Sequence, residues 1–392
     1  MIDYGIPEYF RQHGHRSRDI EKSQLFELLA NEKSLSRKTI LSYLKCRPNN
    51  VTEHVQELIN DQIVKETSVV KEGKGRPEVL LELNSSRLVA LSLLFESGFV
   101  RGSIVNYCGQ IVFSDKAPIL ADVDNNGFYE ALVSFITMML SKLTKKQKLL
   151  GIGFALPGEV VASKYRWSFN AHFPNVRNMD FLRFQQRFNV PVRLFRLLDS
   201  QLLALTRENS ILGDAGTLLV HWGDGIGASL SLNGKIMASL SGSCCEIGHV
   251  KVDRAETALK CRCGEKGCLE TVAGGWVLLP RIAKKFGESF DLNNVDIANC
   301  SFVKEAIDQF TSVLDSVFRV CFPERILVYG PLFQNTEIQK VFGLMLDRKL
   351  PKYSKFGSRF EVLSDNLEFE TTIGCTYDFF LEELKSILVS QG

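Results

Sequence analysis

At 392 residues the chain is roughly two to three typical domains long, which excludes a peptide-like or disordered molecule and predicts at least two folding units. Hydrophobic residues at 45 % and charged residues at 23 % suit a soluble globular protein, and 29 Gly with 11 Pro exclude a fibrous or low-complexity one. A net charge of +2, from 47 basic and 45 acidic residues, means that any nucleic-acid site must be a local patch.

No apolar run reaches the roughly 18 residues of a membrane helix. The start, Met1 to Phe10 with Asp3 and Glu8, lacks the basic and apolar regions of a signal peptide. A cytoplasmic protein without membrane insertion is therefore expected. Ten Cys is a modest density for this length, and clustered thiols in a reducing compartment point to metal before disulfides.

Residues 1–83 read as short helices followed by a hairpin. Ile20, Leu25, Phe26, Leu28 and Leu29 lie near helical spacing over Asp19 to Ala30. A Ser cap opens a second helix, Ser36 to Leu44, and after the break at Arg47-Pro48-Asn49-Asn50 a third carries Val51, Val55, Leu58 and Ile59 on one face. Two strands, Ile63 to Val70 and Val79 to Leu83, flank the basic Gly-rich loop Lys71 to Pro77. This is the order of a winged helix-turn-helix.

Between Lys33 and Thr52 there are five basic residues and no acid, although residues 1–83 balance 13 Lys/Arg against 13 Asp/Glu. That edge suits DNA phosphates, with Arg37, Lys38 and Arg47 as contacts. Asn49, Asn50, Thr52 and His54 on the third helix are polar groups of the kind that read base edges in a major groove, and Arg76 at the loop tip suits a narrow minor groove. Double-stranded operator DNA is the expected partner.

Residues 84–392 follow an α/β plan. Strands are predicted at Leu88 to Phe95, Phe99 to Asn106 and Gln110 to Phe113, then a helix at Phe128 to Leu143. Further strands at Leu149 to Phe154, Val192 to Leu197 and Gly216 to Trp222 should have helices between them. Beyond the cysteines come a helix Val303 to Cys321, a strand Arg325 to Tyr329, a helix Thr336 to Leu346, a strand Phe360 to Leu363 and a terminal helix. Three meandering strands followed by βα units, once in each half, predict a duplicated two-lobed core with a cleft.

The sharpest motif is Cys261-Arg262-Cys263-Gly264-Glu265-Lys266-Gly267-Cys268, with His249 twelve residues upstream of its first Cys. Zinc takes four tetrahedral soft ligands, and a Gly-rich turn lets three thiolates wrap one ion, with His249 as the nearest fourth ligand. Four protein ligands fill the shell, so such a zinc is structural. Cys244 and Cys245 are poorer candidates.

Glu246-Ile247-Gly248-His249 followed by Cys261-x-Cys263-Gly264-x-x-Gly267-Cys268-Leu269-Glu270 resembles the zinc signature of the ROK family of sugar kinases and transcriptional repressors. Leu156-Pro157-Gly158, Gly225-Ile226-Gly227, Val252-Asp253 and Arg325 to Leu332 extend the likeness over essentially the whole chain after Asn84. A winged helix in front resembles the repressor branch, of the Mlc and NagC type. The resemblance implies an actin-like (ribonuclease H-like) ATPase-type fold of two lobes, a zinc loop over 245–270, and a homodimer or homotetramer.

It also implies a sugar pocket beside that loop. Asp199 matches the position of the catalytic base of the kinases, while Glu246, His249 and Glu270 match positions that hold sugar hydroxyls; Asn175 or His172 occupies the remaining sugar-contact segment. The phosphate turns depart from the kinase pattern. Glu96-Ser97-Gly98-Phe99 lacks the paired Gly and the Thr, and Asp224-Gly225-Ile226-Gly227 puts an acid where phosphate oxygens would lie. The expectation is a repressor of carbohydrate genes with no catalytic residues, controlled by a sugar, a sugar phosphate or a phosphotransferase-system protein. The alternative is an ATP-dependent sugar kinase that carries a DNA-binding domain.

Overall fold

The computed structural model describes residues 2–70, 78–96, 98–170, 172–208, 216–238, 244–351, 359–363 and 366–389. Arg76 with its loop, Ser97 and Ala171 lie outside the described residues.

The N-terminal elements are α1 (Ile6–Gln12), α2 (Ser17–Glu32), β1 (Ser34–Ser36), α3 (Arg37–Leu44), α4 (Pro48–Asn60), β2 (Val64–Val70) and β3 (Glu78–Leu83). The Ser36 hydroxyl caps α3 by accepting the Thr39 N–H, and Pro48 opens α4, where its missing N–H costs nothing. The three short strands form one sheet in the order β1-β3-β2. On α4, Val51, Val55 and Leu58 are buried as their spacing requires.

The same face takes in His54, which corrects its assignment as a base reader. It is 1 % exposed and its Nε2 lies 3.3 Å from the Glu21 carboxylate of α2. Position 54 falls between Val51 and Leu58 on one stripe, so packing outweighs its polarity. Asn50 is also turned inward, donating to the same Glu21 oxygen at 2.9 Å. Lys38, Arg47, Asn49 and Thr52 are exposed, whereas Arg37 is half-buried and pairs with Glu66 at 2.8 Å.

The rest of the chain forms two sheets of five strands. The first comprises β4 (Leu88–Glu96), β5 (Phe99–Asn106), β6 (Ile111–Pro118), β7 (Lys148–Leu156) and β11 (Val192–Arg196), in the order β11-β7-β4-β5-β6. The second comprises β12 (Thr217–Trp222), β13 (Ile226–Leu232), β14 (Lys235–Ile236), β15 (Arg325–Tyr329) and β16 (Arg359–Val362), in the order β14-β13-β12-β15-β16. In each, the first three strands pair antiparallel and the last two pair parallel. The two orders are the same topology, so the core is a duplicated α/β unit.

Helix α5 (Asn125–Leu140) covers the first sheet, and α6 (Leu182–Phe188) precedes β11. Between Leu156 and Val192 the expectation of helices is only partly met. A small antiparallel sheet, β10-β9-β8, occupies most of that interval, formed by β8 (Glu159–Val161), β9 (Arg166–Phe169) and β10 (Met179–Asp180). Its Trp167 is buried against Phe95, Phe128 and Phe173 of the first lobe. The second lobe packs α8 (Glu270–Ala273), α9 (Gly275–Phe286), α10 (Ser301–Cys321) and α11 (Thr336–Lys349) around Trp222, Phe310, Phe333 and Phe342.

Two helices join the lobes: α7 (Leu197–Glu208) and α12 (Glu368–Leu388). They cross so closely that a Cβ on Gly374 would lie 1.8 Å from the Ser200 carbonyl oxygen. The N-terminal elements share a core with α12, in which Phe10, Leu25, Leu29 and Leu58 cluster with Tyr377, Phe380, Leu384 and Leu388. Three polar side chains inside this seam are paired, as buried ones generally are. Tyr4 donates to the Tyr107 carbonyl at 2.7 Å, Tyr377 to the Asp3 carbonyl at 3.2 Å, and Lys22, 2 % exposed, to the Ile387 carbonyl at 3.0 Å.

Candidate metal centre and ligand cleft

The metal site grows from a loop that crosses itself. Lys251 bridges to Cys268 and Lys260 to Lys266 in antiparallel sense, folding the segment back on both sides of the Cys261–Cys263 turn. Gly267 has φ +69°, and any Cβ there would stand 1.8 Å from the Asp253 carbonyl oxygen, so only glycine closes the loop. His249 ends a short 3-10 turn, Ile247–His249.

Ligand atoms of His249, Cys261, Cys263 and Cys268 all lie within 4.8 Å of one another. The Cys263 and Cys268 sulfurs are 3.7 Å apart, and Cys261 Sγ is 3.7 Å from His249 Nδ1. A tetrahedron with metal–sulfur bonds of about 2.3 Å has edges of about 3.8 Å, so three thiols and an imidazole are already spaced for one tetrahedral ion. Lys251 Nζ, 3.9 Å from Cys268 Sγ, offsets part of the thiolate charge.

The loop also grips the β12–β13 turn. Glu270, 8 % exposed, accepts the Ile226 N–H at 2.8 Å through one carboxylate oxygen, while the other lies 4.0 Å from Cys261 Sγ. Burial raises the pKa of this carboxyl, and the Ile226 N–H opposes the rise. Arg262, held between two of the candidate ligands, pairs with Asp224 and lies 5.0 Å over the Trp276 ring. The Asp224 carbonyl in turn accepts the Trp276 N–H at 3.2 Å.

Asp199, on the first turn of α7, faces a cleft of about 480 Å³ between the lobes, lined in part by Val160, Leu194, Arg196, Leu203 and Ile236. Its Oδ1 accepts the Ser229 hydroxyl at 2.7 Å and lies 3.6 Å from Arg196 Nη1. Burial raises the Asp199 pKa, and Arg196 and Ser229 pull it back. Arg196 also lies 3.4 Å from Glu246, which is half exposed. Asp199 and Glu246 therefore meet through one guanidinium, while Glu270 and His249 meet at the metal loop, joined to Glu246 by the 3-10 turn.

Asn175 belongs to neither group. It is exposed, and its amide donates to the Asp122 carbonyl at 3.0 Å, ahead of α5. His172 is exposed, its N–H taken by Asn170 Oδ1 at 2.8 Å. Sequence reasoning missed Arg196, Ser229 and Arg262. The three-residue interval from Arg196 to Asp199, one helical turn, was the available signal for the first. At the other turn, Glu96 pairs with Arg101 at 3.3 Å, and Arg101 with Glu368 of α12 at 2.9 Å.

No helix among the described residues is long and apolar enough to cross a membrane. A family model described as "ROK family" matches residues 104–328, more than half of the chain. The chain is 25 % identical over 274 residues to a xylose repressor of Caldicellulosiruptor bescii, covering 68 % of this chain and 67 % of that one. It is 24 % identical over 357 residues to the DNA-binding transcriptional repressor Mlc of Escherichia coli K12, covering 84 % and 86 %. In structure it is similar to a ROK family transcriptional regulator, a homologue of the E. coli Mlc protein, with TM-score 0.70 at 18 % identity over 95 % of this chain and 99 % of that one. A ROK family glucokinase from Streptomyces griseus, solved with glucose and AMPPNP, matches with TM-score 0.56 at 16 % identity over 73 % of this chain and 97 % of its own. With its duplicated actin-like α/β core, its four clustered soft ligands and this match, the chain belongs to the ROK family.

Proposed function

We propose that the chain is a DNA-binding transcriptional repressor of carbohydrate uptake or metabolism genes, controlled by a sugar, a sugar phosphate or a phosphotransferase-system protein. The observation that carries this reading is the extent of the likeness. The ROK regulator covers 95 % of the chain, whereas the glucokinase covers 73 % while using nearly all of itself. What the kinase lacks is about the length of the N-terminal unit.

In this reading residues 1–83 are a winged helix-turn-helix and residues 84–392 the sugar-binding and oligomerisation domain. α4 enters the major groove, and the β2–β3 hairpin is the wing. Lys38, Arg47, Asn49 and Thr52 reach DNA, joined by Arg37, Asn50 and, from the wing, Arg76; His54 instead fixes α4 on α2. A homodimer or homotetramer sets two such helices against a two-fold operator, and ligand binding between the lobes changes their spacing.

Zinc is the ion that suits three thiolates and an imidazole, and it would be held by His249, Cys261, Cys263 and Cys268. Bound there, it supplies no chemistry beyond cross-linking the loop. Asp199, Glu246 and Glu270 offer carboxylate oxygens that accept sugar hydroxyls, and His249 turns the metal loop toward them. Asn175, bonded to Asp122, contributes least to such a pocket. Phosphoryl transfer is absent in this reading, because Arg101 and Arg262 already pair with the acids at both turns where a kinase cradles phosphate.

The test is titration of the zinc-loaded protein with Mg-ATP and a panel of sugars and sugar phosphates, beside gel shifts on the DNA upstream of its own gene at several salt concentrations. Silence toward ATP, binding of a sugar or sugar phosphate, and steeply salt-dependent DNA binding are expected. Silence toward every small ligand directs control to a protein partner, found by pull-down from sugar-fed against starved cells. Sugar-dependent release of ADP overturns the reading in favour of a kinase.

A further inference from the structure

Cys244 and Cys245 take no part in the metal site or in the proposed ligand contacts. Side chains of neighbouring residues in extended chain point to opposite faces, which keeps adjacent thiols apart. Here their sulfurs are 3.6 Å apart, brought to one side by a left-handed backbone at Cys245, φ +55°. A non-glycine side chain is disfavoured in that region, and such conformations concentrate at functional positions. Both residues are only partly buried. The pair stands directly before Glu246, whose carboxylate reaches Arg196 beside Asp199.

We propose that Cys244 and Cys245 form a reversible vicinal disulfide, a modification site for hydrogen peroxide at the rim of the interlobe cleft. The Cys244 sulfur attacks one peroxide oxygen, the O–O bond breaks, and one water leaves behind a sulfenic acid. The Cys245 sulfur then displaces that oxygen as a second water, and the S–S bond forms. Each sulfur loses one electron; the peroxide takes both electrons and the two thiol protons. Burial pushes the Cys245 thiol up to about 12, so Cys244 is the sulfur that meets the peroxide first, and Cys245 resolves by its 3.6 Å proximity.

The bridge is labile by construction. Adjacent Cα atoms are about 3.8 Å apart, below the roughly 4.4–6.8 Å of ordinary disulfides, so the bond is strained and readily reduced by thiols. Closing it re-aims the backbone at Glu246, and with it the carboxylate that faces Arg196. The cleft thus differs between the dithiol and disulfide forms. This inference rests on the thiol geometry and stands or falls apart from the proposed function.

Trypsin provides a clean readout, because cleavage after Lys235 and Lys251 yields a peptide whose only cysteines are Cys244 and Cys245. The full, zinc-loaded protein is treated with hydrogen peroxide, quenched with an alkylating reagent in denaturant and digested. The expected result is that peptide without alkyl groups and lighter by two hydrogen atoms, with full alkylation restored by prior dithiothreitol. Recovery of the doubly alkylated peptide after complete peroxide exposure overturns the proposal, and so does a disulfide from either residue to Cys321 or any other cysteine. Cys245→Gly provides the folded control, since glycine adopts positive φ without penalty. It should leave Cys244 singly alkylated or irreversibly oxidised, and a wild-type-like reversible loss of alkylation in this variant likewise overturns the proposal.

Discussion

The two lobes repeat one strand order but neutralise the acid at their first hairpin in different ways. At the β4–β5 turn, Glu96 is met by Arg101 from its own hairpin, and Arg101 continues to Glu368 on α12. At the β12–β13 turn, Asp224 is met by Arg262, a residue set between two candidate metal ligands. The first turn is completed locally, whereas the second is completed only while the metal loop keeps its shape. Duplication has left one lobe that carries the N-terminal unit and another whose inner turn reports on the loop.

The change that should erase this distinction altogether is Gly374→Ala. A Cβ there meets a backbone oxygen that cannot rotate away, forcing α7 from α12. A loss of about 3 kcal/mol or more is expected in urea unfolding. A stability change within error would mean that the crossing is not the seam between lobes.

Cys263→Ser should act first on the second lobe and, because the metal loop runs between the proposed ligand contacts Glu246 and Glu270, we propose that its loss couples to DNA binding. Metal content falls to background, protease cuts appear within 250–270, and DNA binding weakens by about tenfold or more through the shared loop. A metal-free variant that binds operator as well as wild type breaks the proposed coupling.

His221, at the end of β12 and 4.6 Å from the Tyr329 ring, allows a test by pH. Burial lowers its imidazole to about 4, below the unfolded value of about 6.5. The unfolded chain therefore binds its proton first as pH falls. Stability from this group is complete above about pH 6.5 and is lost on descent to about pH 4, by up to about 3 kcal/mol. Zinc-loaded His221→Phe should show a shallower acid decline than wild type, and identical slopes would remove His221 from the account.

The smallest effect sharpens the comparison most. Arg101→Ala and Arg262→Ala remove partly exposed ion pairs worth about 1 kcal/mol or less. Stripping the metal should abolish the Arg262→Ala effect and leave the Arg101→Ala effect intact. Equal persistence of both would show that the second turn does not depend on the loop.

Much of this architecture was legible in the residues. Strands β4, β7 and β15 are largely apolar runs because both faces are covered, and the Cys-Gly spacing located the metal ligands. Edge strand β6 extends to Pro118 through mostly exposed residues, so its apolar signal ends at Phe113. Helix α1 and strand β1 are held by tertiary contacts more than by pattern, being 7 and 3 residues long. His54 was misjudged by chemistry although its position on the α4 stripe foretold burial. Ser229 reaches Asp199, and Arg262 reaches Asp224, only through the fold, from segments that no local spacing connects.

The core shared by the N-terminal elements and α12 sets Asp3 against Tyr377 and Lys22 against Ile387, pairs separated by 374 and 365 residues in sequence. A ribosome delivers α12 long after α1 to α4, with both five-stranded sheets made in between. The apolar face of the N-terminal unit stays uncovered until α12 has emerged. A product that stops short of α12 leaves Tyr377, Phe380 and Leu384 missing from that core. Synthesis through α12 is thereby a condition for a fully assembled N-terminal unit, a proofreading step written into the order in which residues emerge.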